Sequence, residues 1–126
     1  MTYLIILRLL HIVCGVFWAG ATLYLAGFVI PAVKALGPDG GKFMQQLART
    51  NKLPVVMNVT GTVTVVAGIL LIARLSGTFQ WEWFTSAHGM LLTIGGTLGL
   101  LAFLVGILVS LPTILKINTI GGAIAA

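Results

Sequence analysis

The sequence predicts an all-α bundle of membrane-spanning helices, and three observations predict it. Three long runs carry no formal charge: Leu9–Val33 (25 residues between Arg8 and Lys34), Leu53–Ala73 (21 residues between Lys52 and Arg74), and the 33 residues separating Glu82 from Lys116. At ~1.5 Å of rise per residue, each is long enough as a helix to cross a ~30 Å hydrocarbon core. The composition agrees: 59% of the 126 residues are hydrophobic and 7% charged, against about a quarter charged in a soluble domain. Turn chemistry and most of the charge fall between the runs, as at Gly37-Pro38-Asp39-Gly40-Gly41. On length, residues 1–126 form one transmembrane domain.

The first helix is expected over residues 3–36, with Arg8 snorkelling to the headgroups and Pro31 kinking the last turns. A short interfacial segment follows over about residues 40–51, with Asp39 as its N-cap and Phe43, Met44 and Leu47 at helical spacing. The second helix, 53–75, opens on Pro54, where a missing amide donor does no harm. Met57, Gly61, Thr64 and Gly68 form one stripe of it, a packing face whose hydroxyls bond across helices or back to their own carbonyls. Asn58 is expected to be an interhelical donor. Trp81, Trp83 and Phe84 in the loop Ser76–Phe84 suit an interfacial aromatic belt. Thr85 or Ser86 caps the third helix, 85–111, which is expected to end at Pro112. His88, Leu92, Gly95, Gly99 and Gly106 share one of its faces, and Gly95-x-x-x-Gly99 is expected to be a close helix contact. The ten residues after Lys116 are too short to cross a bilayer, and read as a frayed tail or the approach to a fourth helix.

Function classes narrow quickly. The net charge of +5 does not point to nucleic acid, because four of the seven cations (Lys34, Lys42, Arg49, Lys52) lie around a single loop. That cluster, against Asp39 alone, places the first loop and the C-terminus in the cytoplasm and the N-terminus outside, in a multi-pass protein of the cell inner membrane. The two carboxylates, Asp39 and Glu82, both lie in loops, so nothing supports hydrolytic catalysis. Cys14 is the single cysteine, and no intramolecular disulfide forms.

An ionisable side chain inside an apolar span needs a partner, a ligand or a cavity. His11 is such a residue, and on this topology His88 comes to similar depth, with Arg8 and Arg74 at the same outer level. Two imidazoles suit the iron of a b-type haem. Gly15 and Gly95 would give the porphyrin room, and Arg8 and Arg74 would meet its propionates. Copper is the rival ligand, with His11, Cys14 and Met90 as donors and Met57 in the wrong half of the membrane. In a third reading His11 donates to a neighbouring carbonyl, His88 sits in the wet interface, and the chain is a non-catalytic accessory subunit. Its partners are then the lipid bilayer and other membrane subunits or further copies of itself.

Leu7-Arg8-Leu9-Leu10-His11, continuing to Trp18-Ala19-Gly20, resembles the first helix of the CopD-like (copper-resistance D) membrane proteins and of HemJ-type protoporphyrinogen oxidases. Those families share a first-helix histidine followed two turns later by Trp and then Gly. The match is to small bacterial integral membrane proteins of that broad group, and covers residues 7 to about 33, with the third helix matching loosely. The resemblance implies His11 as a haem ligand with Trp18 and Gly20 as packing partners, while His88 matches by placement. HemJ-type proteins continue Leu-Tyr-Leu-Pro-Arg, whereas here Leu23-Tyr24-Leu25 is followed by Ala26-Gly27, and that arginine has no counterpart.

Overall fold

A computed structural model describes residues 1–125, with side chains as far as Pro112 and at Leu115 and Lys116. Among the described residues the chain is all helix and turn, without strands. Three stretches are long and apolar enough to cross a membrane: Thr2–Leu36, Leu53–Leu75 and Ala87–Pro112. The chain divides into two compact units, Met1–Ala67 and Gly68–Ala126.

In the first unit, α1 (Thr2–Tyr24) passes through a π-helical turn, Leu25–Val29, into α2 (Ile30–Leu36). Pro31 explains the interruption: it has no amide to give the Gly27 carbonyl, and its ring would strike that carbonyl in a regular α-helix. The wider turn relieves the clash, and the Ile30 N–H donates to the Leu25 carbonyl five residues back. Gly37 then reverses the chain at φ +59°, a conformation glycine adopts without a Cβ penalty.

The segment after it is a full helix, α3 (Pro38–Arg49), with Pro38 in its first turn. Asp39 is therefore not the N-cap. It lies inside the first turn, where a carboxylate favours the positive end of the helix dipole, and Gly37 holds the cap position. α3 packs directly on α2 at one point: a Cβ at Gly40 would run into the Val33 carbonyl. Lys52, at φ +52°, turns the chain into α4 (Leu53–Leu75), and its carbonyl accepts from the Val55 and Val56 amides at 3.0 and 3.1 Å.

The stripe expected on α4 is its packed side. Gly61 is buried, and Met57, Thr64 and Gly68 are half-buried. The hydroxyls turn back on their own helix: Thr60 donates to the Val56 carbonyl, Thr62 to Asn58 and Thr64 to Thr60, at 2.7–2.8 Å. Asn58 departs from expectation, since among the described residues its amide side chain has no hydrogen-bond partner.

The second unit opens on the end of α4. Gly77, Thr78 and Phe79 follow one another in the left-handed region at φ +61°, +69° and +65°. Ser76, 2% exposed, pins this turn by accepting the Phe79 amide on its hydroxyl at 2.8 Å. A short α5 (Trp81–Thr85) carries the aromatic cluster, with Phe79 stacked on Phe84 and Trp83 edge-on to Phe84. Ser86 is the cap of α6 (Ala87–Ala125), its Oγ accepting the Gly89 amide at 3.1 Å.

α6 differs from expectation in two ways. It does not stop at Pro112 but continues through it, because a helix in apolar surroundings tolerates a proline when leaving the helix would expose still more backbone. Of the tail, Ile117–Ala125 continues the helix, and Ala126 lies outside the described residues. Among the described residues the expected Gly95–Gly99 contact is also not seen: a Cβ at either meets nothing within 4 Å. The contact falls one residue away, at Gly96, where a Cβ would lie 3.3 Å from Ile72 Cδ1 on α4.

Candidate functional site

The better-covered residues of α1 are Leu4, Leu7, His11, Cys14, Gly15, Trp18 and Ala21. Their spacings of three and four make one face, so α1 turns His11 inward rather than toward its exposed side. The Nδ1 of His11 lies 2.8 Å from the Thr64 carbonyl oxygen of α4, 53 residues away. A carbonyl has no proton to give, so Nδ1 is the protonated nitrogen and, in the neutral ring, Nε2 keeps its lone pair. Thr64 is free to accept because a backbone oxygen has two lone pairs, one of them left over from the helix.

Gly15 makes this bond reachable. One turn after His11, a Cβ there would come within 3.2 Å of the Thr64 methyl, tighter than an ordinary contact, so the bare glycine lets α1 and α4 approach without displacing Thr64. The room expected at Gly15 for a porphyrin edge is thus already filled by Thr64, and Gly15 serves helix packing instead. Thr64 is the residue that sequence reasoning missed. It stood on the predicted packing stripe, but its contribution is a backbone oxygen, which every residue type carries.

The remaining candidates are arranged as follows. Arg8 is exposed, three residues before His11. Cys14 is a half-buried free thiol. In the second unit, His88 is exposed in the first turn of α6, Met90 is exposed, Arg74 lies in the last turn of α4, and Gly95 faces open space. Among the described residues no three His, Cys, Asp or Glu side chains gather as a metal-binding group. Haem needs no such cluster, since the porphyrin supplies four nitrogens and the protein one or two axial donors. Of the expected haem contacts in the first unit, the donor at His11 fits and the cradle at Gly15 does not.

Compared with family models, curated proteins and solved structures, the chain matches none of them.

Proposed function

We propose that this chain is a small multi-pass membrane protein that binds b-type haem through Nε2 of His11. One observation carries the reading: the imidazole is held by a 2.8 Å bond from Nδ1, while Nε2 has no hydrogen-bond partner among the described residues. His11 is half-buried and its Nε2 is not sealed inside the protein, so the lone pair is open to an iron. A ligating histidine commonly gives its other N–H to a carbonyl, which fixes the ring and raises its basicity. The resemblance of Leu7–Gly20 to CopD-like and HemJ-type first helices supports the same residue.

Haem bound there would supply one-electron chemistry, at a potential set by axial ligand, hydrogen bonding and burial. The chain's own part is to position the ligand. Thr64 orients the imidazole, Gly15 admits Thr64, and Leu7 and Trp18 on the same face limit water. Arg8 is the nearby cation for a propionate. The orientation follows from the cationic first loop, which sets His11 near the outer face of the bacterial inner membrane.

Protein made with ample haem should show a Soret band and redox-sensitive visible bands. His11→Ala should abolish or shift them, and His88→Ala, made separately, tests the second imidazole. A colourless protein after haem reconstitution overturns the proposal. A copper-handling role would appear instead as Cu(I) binding lost in His11→Ala and Cys14→Ala.

A second reading, that of an accessory subunit, expects the same bond from His11 to a carbonyl and the same exposed His88, and a further observation favours it. None of the most apolar 18-residue stretch of Ala87–Pro112 is buried within the chain, and Gly95, Gly99 and Gly106 have open space before them. Another membrane helix would fit this face closely. Co-purification of a stable membrane partner with a haem-free protein would put this reading first.

A further inference from the structure

The helix between the first two spans has a sided chemistry of its own. Placed at 100° per residue, Phe43, Leu47, Gly40, Met44 and Ala48 of α3 fill one arc, and Gln45, Arg49, Lys42, Gln46 and Asp39 fill the other. Gly40 is buried and Met44, Leu47 and Ala48 are half-buried, while Phe43 on the same arc and the whole polar arc are exposed. Lys42 and Arg49, seven residues apart, fall within ~20° of each other and ~10 Å along the axis. Lys52 follows in the left-handed turn, and Lys34 stands in the last turn of α2.

The connections keep α3 at the level where the spans end. A single residue, Gly37, joins it to α2, the Gly40–Val33 contact folds it back, and three residues join it to α4. Lys42 is paired with Asp39, whose carboxylate lies 3.0 Å from its ammonium with both side chains 78% exposed. Such a pair is weak and exchangeable. Asp39 is also the only carboxylate side chain in Met1–Ala67, against Arg8, Lys34, Lys42, Arg49 and Lys52.

We propose that α3 is a headgroup-binding element that selects anionic phospholipids, with Lys42 and Lys52 as the phosphate contacts and Phe43 and Leu47 seated at the acyl boundary. The occupant follows from charge complementarity and from where the chain holds the helix. A basic amphipathic helix confined to the bilayer surface meets lipid phosphate before any soluble anion. The haem assignment plays no part in this.

The test is native mass spectrometry of the full chain equilibrated in detergent with equal amounts of phosphatidylglycerol and phosphatidylcholine. Wild type should retain the anionic lipid in clear excess. Each cation is expected to contribute about fivefold, from ~1 kcal/mol per surface cation at 1.4 kcal/mol per tenfold. Lys42→Gln with Lys52→Gln should therefore lower the ratio at least tenfold, while Lys42→Arg with Lys52→Arg should keep it. Circular dichroism confirms that the variants remain helical. If the glutamine variant does not fold, the wild type still decides, because sodium chloride should displace the anionic lipid progressively. Equal retention of both lipids overturns the proposal, as does a ratio untouched by the glutamine pair or by salt. So does displacement by inorganic phosphate beyond that of chloride at equal ionic strength, which would mark a free-anion site.

Discussion

Adjacent glycines of α3 should respond to the same substitution with opposite signs. Gly40 and Gly41 both lie inside the helix, where replacing glycine by alanine gains up to ~1 kcal/mol of propensity. At Gly41 a Cβ meets nothing within 4 Å, so Gly41→Ala should keep that gain, about 3–5 °C in Tm for a chain of this size. At Gly40 the new Cβ would run into the Val33 carbonyl. Overpacking costs roughly 1–3 kcal/mol, and a backbone carbonyl held in α2 cannot swing aside as a side chain would, so the upper end applies. Subtracting the propensity gain leaves Gly40→Ala about 2 kcal/mol less stable than wild type, or roughly 6–10 °C lower in Tm. Thermal unfolding of the two variants in one detergent, followed by tryptophan fluorescence, should separate them by on the order of 10 °C. Shifts of the same sign, or a Gly40→Ala variant as stable as Gly41→Ala, would refute the α2–α3 contact and with it the placement of α3.

Two further outcomes follow from the first unit and its loop. Gly15→Leu should hold α1 away from Thr64, lowering thermal stability by about 2 kcal/mol or more and weakening any haem spectrum. Gly20→Leu, with nothing within 4 Å of its Cβ, should be tolerated, and equal behaviour of the pair in both measurements would remove Gly15 from the site. In a Cys14→Ala background, Gln45→Cys should resist an impermeant maleimide in intact cells while Thr78→Cys labels. The reverse pattern inverts the topology.

Haem binding at His11 and lipid binding along α3 use different parts of the first unit. A colourless protein leaves Lys42 and Lys52 untouched. Loss of lipid selectivity leaves the His11–Thr64 bond in place.

What the sequence determined by itself is what depends on one residue at a time or on near neighbours. Long uncharged runs specify spanning helices because lipid-level burial is a sum over side chains, and the break in regular helix at Pro31 or the Ser86 cap needs only residues a turn away. That His11 needs a partner was legible in an ionisable group inside an apolar run, and a carbonyl was one of the readings. Which residue supplies it was not, because Thr64 acts through a backbone oxygen 53 residues distant, and no residue type marks an acceptor that every residue has. Helix contacts shared this fate. A stripe such as Gly95–Gly99 shows where a close approach is permitted, yet a rotation of one residue, ~100°, moves the contact to Gly96 against Ile72. Gly40 likewise read as one more turn glycine until α3 was folded onto Val33. Only the tertiary structure decides such matters, because each is a property of two surfaces meeting, and the chain states each surface separately.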